Sequence, residues 1–224
     1  MTMTSENHPA YDATFETNFS SLTILKGGFL TEAATKIIMG TFPPPKSKLQ
    51  TQGENYFYYP NNRNQFWNII DAANCIENLE MKKLKFTNKS LESFPVNIQR
   101  KADFSFKQRW AFLDFFTHIE RRVEDSSKDT DLIDKGNVIQ NKLLFKYLDL
   151  NKKVNQISCT YKTSYQSLLK HLQLNKQEIK KLKNNEVDWI YKNRKILINL
   201  LPPPTRSFIS LSEKVKQYNS FLYN

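Results

Sequence analysis

The sequence predicts an α/β domain built on a short, mainly parallel sheet with helices on both of its faces. Three observations carry that expectation. Short β-branched or aliphatic runs alternate with stretches of helical spacing, two of the runs stop abruptly in proline-rich loops, and neither an internal repeat nor an obvious linker interrupts the order. The chain has 224 residues, a length that suits one such domain, and its 16 Phe, 10 Tyr and 3 Trp supply enough bulky apolar surface for a core.

Residues 1–18 are polar without a sustained period and read as a flexible tail, leaving 19–224 as a single domain that becomes structured from Leu22. Residues 35–40 (TKIIMG) form a β-branched run ended by Gly40 and then by Pro43, Pro44 and Pro45, the pattern of a buried strand that stops in a loop. Asn64 offers an N-cap to a helix whose broad apolar face holds Phe66, Trp67, Ile69, Ile70 and Ala73. Residues 74–107 are polar and basic and suggest no element. Residues 110–116 (WAFLDFF) predict a short strand passing into a helix through Arg122, and 124–136 an acidic, turn-forming loop. Val138, Leu143, Leu144, Tyr147 and Leu148 then recur at helical spacing. A strand is expected over 156–160, followed by a helix carrying Tyr165, Leu168, Leu169 and Leu172. Residues 176–192 read as helical and lead to the most apolar strand, 195–201 (KILINLL), which ends in Pro202, Pro203, Pro204, Thr205 and Arg206. A last helix runs from about Ser212 to Phe221.

Charge narrows the function classes. The 33 Lys+Arg exceed the 22 Asp+Glu, for a formal charge of +11. The excess is clustered, as in Lys82-Lys83-Leu84-Lys85, Lys180-Lys181-Leu182-Lys183 and Lys192-Asn193-Arg194-Lys195. Such clusters attract polyanions and give salt-dependent, sequence-blind affinity for a phosphate backbone; the bland alternative is a Lys-rich surface that is merely solvated. Two cysteines, Cys75 and Cys159, are too few for a four-thiolate cluster or an all-cysteine zinc site. His8, His118 and His171 are too dispersed for a metal centre, and five glycines form neither a P-loop nor a dinucleotide fingerprint. No metal or organic cofactor is therefore expected. With no long apolar run and no basic-apolar leader at the start, the expectation is a soluble, cytoplasmic chain with no membrane partner.

Chemistry is expected where strands end. In an open α/β sheet ligands are held at the carboxyl ends of the strands, and proline-stiffened loops there present backbone groups with little entropy to lose. Gly40-Thr41-Phe42-Pro43-Pro44-Pro45-Lys46-Ser47 and Leu201-Pro202-Pro203-Pro204-Thr205-Arg206-Ser207 are two such loops, although proline also simply terminates strands. Between them, Tyr56-Phe57-Tyr58-Tyr59 precedes a polar cluster, Asn61-Asn62-Arg63-Asn64, at a helix start. Aromatics followed by amides and a cation suit stacking of a planar base and hydrogen bonding of its edge or sugar, while core packing and simple N-capping are the plain alternatives.

These residues support a resemblance. Ile37-Ile38-Met39-Gly40-Thr41-Phe42-Pro43, followed by Phe57-Tyr58-Tyr59-Pro60-Asn61-Asn62-Arg63-Asn64-Gln65-Phe66-Trp67, resembles the strand-GSFP loop and the YYxHPRNxFW segment of the uracil-DNA glycosylase superfamily, and most of all its hypoxanthine (deoxyinosine) DNA glycosylase branch. Residues 110–114 resemble the family's ALWDV segment, 157–162 stand where IFFNGxK is expected, and 200–207 with Ser212-Glu213-Lys214 resemble its LPSTSPAN loop and following helix. The resemblance spans roughly 35–223.

It implies a three-layer α/β/α domain, and removal of a deaminated base from DNA by hydrolysis of the N-glycosidic bond after the base is flipped out of the stack. The partner it implies is DNA containing a damaged base, taken by a monomer. Asn64 corresponds to the catalytic Asn and would orient the water or the sugar, because an amide is no strong base. By the same resemblance Tyr59 would be the stacking platform, and Gly40, Thr41, Phe42, Pro43 and Thr160 would line the base pocket. Lys46, Ser47, Arg63, Pro203, Pro204, Thr205, Arg206 and Ser207 would face the DNA, with Arg206 near a phosphate or in the space left by the base. Three departures stand out: Asn61-Asn62 replaces the HP before RN, Thr160 falls where the family has Asn, and PPPTRSF replaces STSPAN. They leave a nucleic-acid-binding protein with lapsed catalysis as the alternative on the same fold. A basic interaction protein with acidic partners is a third.

Overall fold

The computed structural model describes residues 4–7, 22–25, 28–42, 65–75, 104–123, 139–173, 185–205 and 207–223. In chain order they form β1 (Thr4–Asn7), β2 (Leu22–Leu25), β3 (Gly28–Thr31), β4 (Lys36–Gly40), α1 (Phe66–Cys75), β5 (Trp110–Asp114), β6 (Phe116–Arg121), β7 (Ile139–Gln140), α2 (Leu143–Leu150), β8 (Gln156–Cys159), α3 (Lys162–His171), β9 (Glu186–Tyr191), β10 (Arg194–Leu200) and α4 (Leu211–Tyr223).

A seven-stranded sheet in the order β2-β3-β5-β4-β8-β10-β9 forms the middle layer. Its four central strands, β5, β4, β8 and β10, run parallel. Antiparallel β3 and β2 extend one side and antiparallel β9 the other. A smaller antiparallel sheet joins β1, β6 and β7.

Alternation along each central strand sends side chains to two helical layers, because successive residues of a strand point to opposite faces. Ile37, Met39, Ala111, Leu113, Ile157, Cys159, Ile196 and Ile198 pack with Leu144, Tyr147 and Leu148 of α2 and Tyr165, Leu168 and Leu169 of α3. On the opposite face Phe112 meets Phe66 and Trp67 of α1 at ring-centroid distances of 6.0 and 5.6 Å, and Trp110 meets Phe221 of α4 at 5.6 Å. The α/β class, the three layers and the mainly parallel centre are thus as the sequence predicts.

Three local expectations are corrected. Thr4–Asn7 lies inside the segment read as a tail, yet it pairs with β6 from Thr4 opposite Arg121 to Asn7 opposite His118. Backbone pairing needs no hydrophobic pattern, so a polar tetrapeptide gives no signal of it. The chain after Phe115 is a strand and not a helix, since burial alternates from Thr117 to Arg121 with period two. Residues 186–191 are likewise strand, with Val187 buried between exposed Glu186 and Asp188. What holds β9 against β10 is a two-residue turn. Lys192 and Asn193 both adopt positive φ, 45° and 64°, with Tyr191 opposite Arg194, which is the I′ geometry whose twist matches a hairpin.

That turn is testable. Alanine pays for a left-handed backbone where asparagine is tolerated, so Asn193→Ala is expected to lower stability by about 1 kcal/mol, whereas Asn193→Gly should not. Urea unfolding, with the midpoint moving at constant slope, measures it, and equal midpoints for the two variants would contradict the turn.

Candidate functional site

The central strands run in step. Lys36 lies opposite both Trp110 and Gln156, Met39 opposite Leu113 and Cys159, Gly40 opposite Asp114, and Leu200 opposite Cys159. Four strands therefore release their chains along one edge of the sheet, where the sequence places its candidate residues.

The outgoing segments are laced together by backbone bonds. The Phe115 amide donates to the Gly40 carbonyl at 2.9 Å and the Phe116 amide to that of Thr41 at 3.1 Å. The Thr160 amide donates to the Met39 carbonyl at 2.9 Å, and its hydroxyl reaches the same oxygen at 3.3 Å. The Leu201 amide donates to the Cys159 carbonyl at 2.8 Å. Gly40, Thr41 and Thr160 thus stand together at adjacent strand ends, with Thr41 and Thr160 buried. Phe42 packs on the core and lies 5.9 Å from the guanidinium of Arg121, which is wholly buried.

The proline loop after β10 is held from beneath by α4. Tyr218 donates its hydroxyl to the Pro202 carbonyl at 3.0 Å, and Lys214 donates its ammonium to the Thr205 carbonyl. Lys214 is only 2% exposed, and burial lowers its pKa because the charged form loses hydration. The same loop meets the start of α1, where the Gln65 amide donates to the Pro204 carbonyl at 3.0 Å. Pro203, Pro204 and Thr205 are thereby drawn to the helix start that the sequence reading singles out, while Ser207 is exposed two residues beyond. Pro43, Lys46, Ser47, Tyr59, Arg63, Asn64 and Arg206 lie outside the described residues.

Two further groups at this edge carry no role in the sequence reading. Asp114, buried and opposite Gly40, places a carboxylate-bearing residue among the strand ends, and Asn141 holds its carbonyl at 3.0 Å. Lys214 has a legible signal: with Tyr218 and Phe221 it lies on the inward stripe of α4, a cation where the 3.6-residue period demands an apolar residue. Among the described residues no group of three His, Cys, Asp or Glu side chains converges as a metal site, and no helix is long and apolar enough to cross a membrane.

The sequence matches no protein-family model and no curated protein. Its structure is similar to the solution NMR structure of a "putative Uracil DNA glycosylase" from Methanosarcina acetivorans, with a TM-score of 0.50 and 17% identity over 88% of this chain and 96% of that one. The two proteins share a fold. In an open sheet of this kind ligands are held at the carboxyl ends of the parallel strands, which here are Gly40, Cys159 and Leu200.

Cys159 offers a pH test of this edge. Complete burial pushes its thiol up from 9.0 to about 12, because a thiolate there would be stripped of water. Between those values the unfolded thiol ionises while the folded one stays neutral, so this group's contribution to stability is lost as pH rises through that window. In a Cys75→Ser background the native thiol should resist iodoacetamide at mildly alkaline pH and react at once in urea. Rapid native alkylation would show that the edge is open to solvent at Cys159.

Proposed function

We propose that this protein is a DNA glycosylase that hydrolyses the N-glycosidic bond of a deaminated base, hypoxanthine or uracil, flipped from the DNA stack. The observation that carries the reading is the bond from the Gln65 amide to the Pro204 carbonyl, because it brings the start of α1 to the strand-end loops. Asn64, the residue assigned to water positioning, directly precedes Gln65 in sequence.

The chemistry asked of these residues is modest. Water attacks the sugar carbon C1′ as the carbon-nitrogen bond breaks, the base leaves with the bonding electrons, and the proton of the water passes to the base or to solvent. Positive charge develops on the sugar and negative charge on the base, so oriented amides and backbone dipoles at the strand ends favour the transition state. Asn64 orients the water, Tyr59 stacks the base, and Gly40, Thr41, Phe42, Pro43 and Thr160 shape the pocket. Lys46, Ser47, Arg63 and Arg206, with Pro203, Pro204, Thr205 and Ser207, meet the DNA backbone and the vacated stack. The positive charge of the chain, +11, supplies the non-specific attraction.

A second reading has its own support. Asn61-Asn62 in place of HP and PPPTRSF in place of STSPAN favour a protein that binds nucleic acid on this fold without excising a base.

A panel of oligonucleotides, each with one hypoxanthine, uracil or other modified base, followed by alkaline cleavage, separates the two. Excision of a deaminated base is expected, and Asn64→Ala should lower the single-turnover rate by roughly 100-fold with little change in DNA affinity, as for loss of a positioning group. If every oligonucleotide stays intact while binding persists with a steep salt dependence, the non-catalytic reading replaces it.

A further inference from the structure

On the face of the sheet covered by α4, between that helix and β10, lies a cleft of about 500 Å³. Its size is in the small-molecule range of about 300–1,000 Å³. Gln156 and Asn199 are on its floor, Glu186 is at the sheet margin, and Gln217, Ser220 and Phe221 of α4 form a wall. Gln156 opens β8 and Thr160 follows its last residue. At about 3.3 Å per residue, Gln156 is roughly 13 Å along the strand from Thr160, and Ser158, opposite Asn199, roughly 7 Å.

The floor is a built polar network with one side left open. Asn199 is 9% exposed, and its Oδ1 accepts from the Ser158 hydroxyl at 2.5 Å and from Gln156 Nε2 at 3.3 Å. The same Gln156 nitrogen is 3.3 Å from the Ser158 oxygen. Both lone pairs of Asn199 Oδ1 are thus used, while among the described residues neither Asn199 Nδ2 nor Gln156 Oε1 makes a hydrogen bond. An amide donor and an amide acceptor, on side chains already in contact, are therefore presented together. Both atoms reach solvent in the cleft, so an occupant must replace their water, at a cost of about 1–3 kcal/mol for each group that it leaves unpaired.

We propose that this cleft binds an uncharged, lactam-bearing heterocycle of nucleoside size. The lactam carbonyl accepts from Asn199 Nδ2 while its N–H donates to Gln156 Oε1, and the ring lies against Leu197, Leu200 and Phe221. Among the described residues Glu186 is the one charged residue lining the cleft, and it accepts from hydroxyl groups while repelling a phosphate. A nucleoside is thereby preferred to its nucleotide. The inference does not rest on the glycosylase reading.

Titration of the isotope-labelled full chain with uridine and inosine, followed by amide NMR shifts and calorimetry, tests it. Saturable shifts at the Asn199 side-chain amide and at Gln217 are expected, and the 5′-monophosphates should bind more weakly. Asn199→Asp keeps the acceptor that Ser158 and Gln156 use but removes the donor, and should weaken binding about tenfold or more. Gln217→Trp is at an exposed helix position, spares the floor, and should block binding without lowering the melting temperature. Asn64→Ala, aimed at the glycosylase reading, should leave nucleoside affinity in the cleft unchanged. The proposal is overturned if shifts fail to saturate, if they centre on Gly40 and Thr160, or if both cleft variants bind like the parent protein.

Discussion

The structure depends on β4 being paired in parallel, and in step, on both of its sides. Ile37, Ile38 and Met39 are completely buried, so no water reaches the backbone of this strand and each amide and carbonyl must find a protein partner. Pairing with β5 and with β8 meets that demand. A slip of one residue would turn Ile38 toward the α2 and α3 layer and Ile37 and Met39 toward the α1 and α4 layer, so the side-chain pattern and the ladder enforce the same register. The level strand ends at Gly40, Asp114 and Cys159 are a consequence of that register, and the candidate site inherits its geometry from them.

The two ends of β4 are secured by different means. At its start, Tyr147 donates to the Thr31 carbonyl and Asn151 Nδ2 reaches the Ala34 carbonyl at 2.9 Å, so α2 fixes the turn that feeds the strand. The Thr35 amide donates to the Arg109 carbonyl at 2.8 Å, and Asn155 donates back to the Thr35 carbonyl at 2.9 Å. At its far end the ties come from the neighbouring strand ends and, around the proline loop, from α4. One helix holds Pro202 through Tyr218, Thr205 through Lys214, and α1 through the 2.8 Å bond of Asn219 to the Ala73 carbonyl. Consecutive prolines already restrict the unfolded loop, so a few carbonyl anchors suffice to order it.

Legibility in the sequence followed burial. The central strands at 36–40, 156–159 and 194–200, and helices α1, α3 and α4, were marked by apolar runs or helical spacing because their partners lie on the sheet faces. The margins were not. Thr4–Asn7 carries no apolar pattern, and β9 holds only Val187 fully buried in an otherwise exposed or half-buried strand. Its turn uses Lys192-Asn193 in place of the Asn-Gly that advertises a hairpin. Among the candidate residues, Gly40 and Thr41 drew notice because a strand visibly stops there, and Thr160 through the family resemblance. Gln65 acts through a long-range bond to the Pro204 carbonyl, which no local window contains, whereas Lys214 bonds a carbonyl nine residues back and its misplaced cation on the stripe of α4 was visible in principle. The Ser158–Asn199–Gln156 network was hidden for the same reason, being spread over two strands about forty residues apart.

Helix α4 connects the strand-end loop to the cleft on the sheet face. Lys214 and Tyr218 point their polar atoms at the loop, while Gln217, Ser220 and Phe221, about one turn along, line the cleft. The two sets share one rigid element, so a change in how α4 seats on β10 alters both together. A ligand in the cleft biases the loop only as far as it binds one seating of α4 better than another, and DNA at the loop would then bias the cleft by the same free energy. The buried ammonium of Lys214 makes alternative seatings expensive, because moving it away from the Thr205 carbonyl leaves a desolvated cation without its acceptor. That cost favours a single seating of the helix, and with it one position of the Pro202 and Thr205 carbonyls.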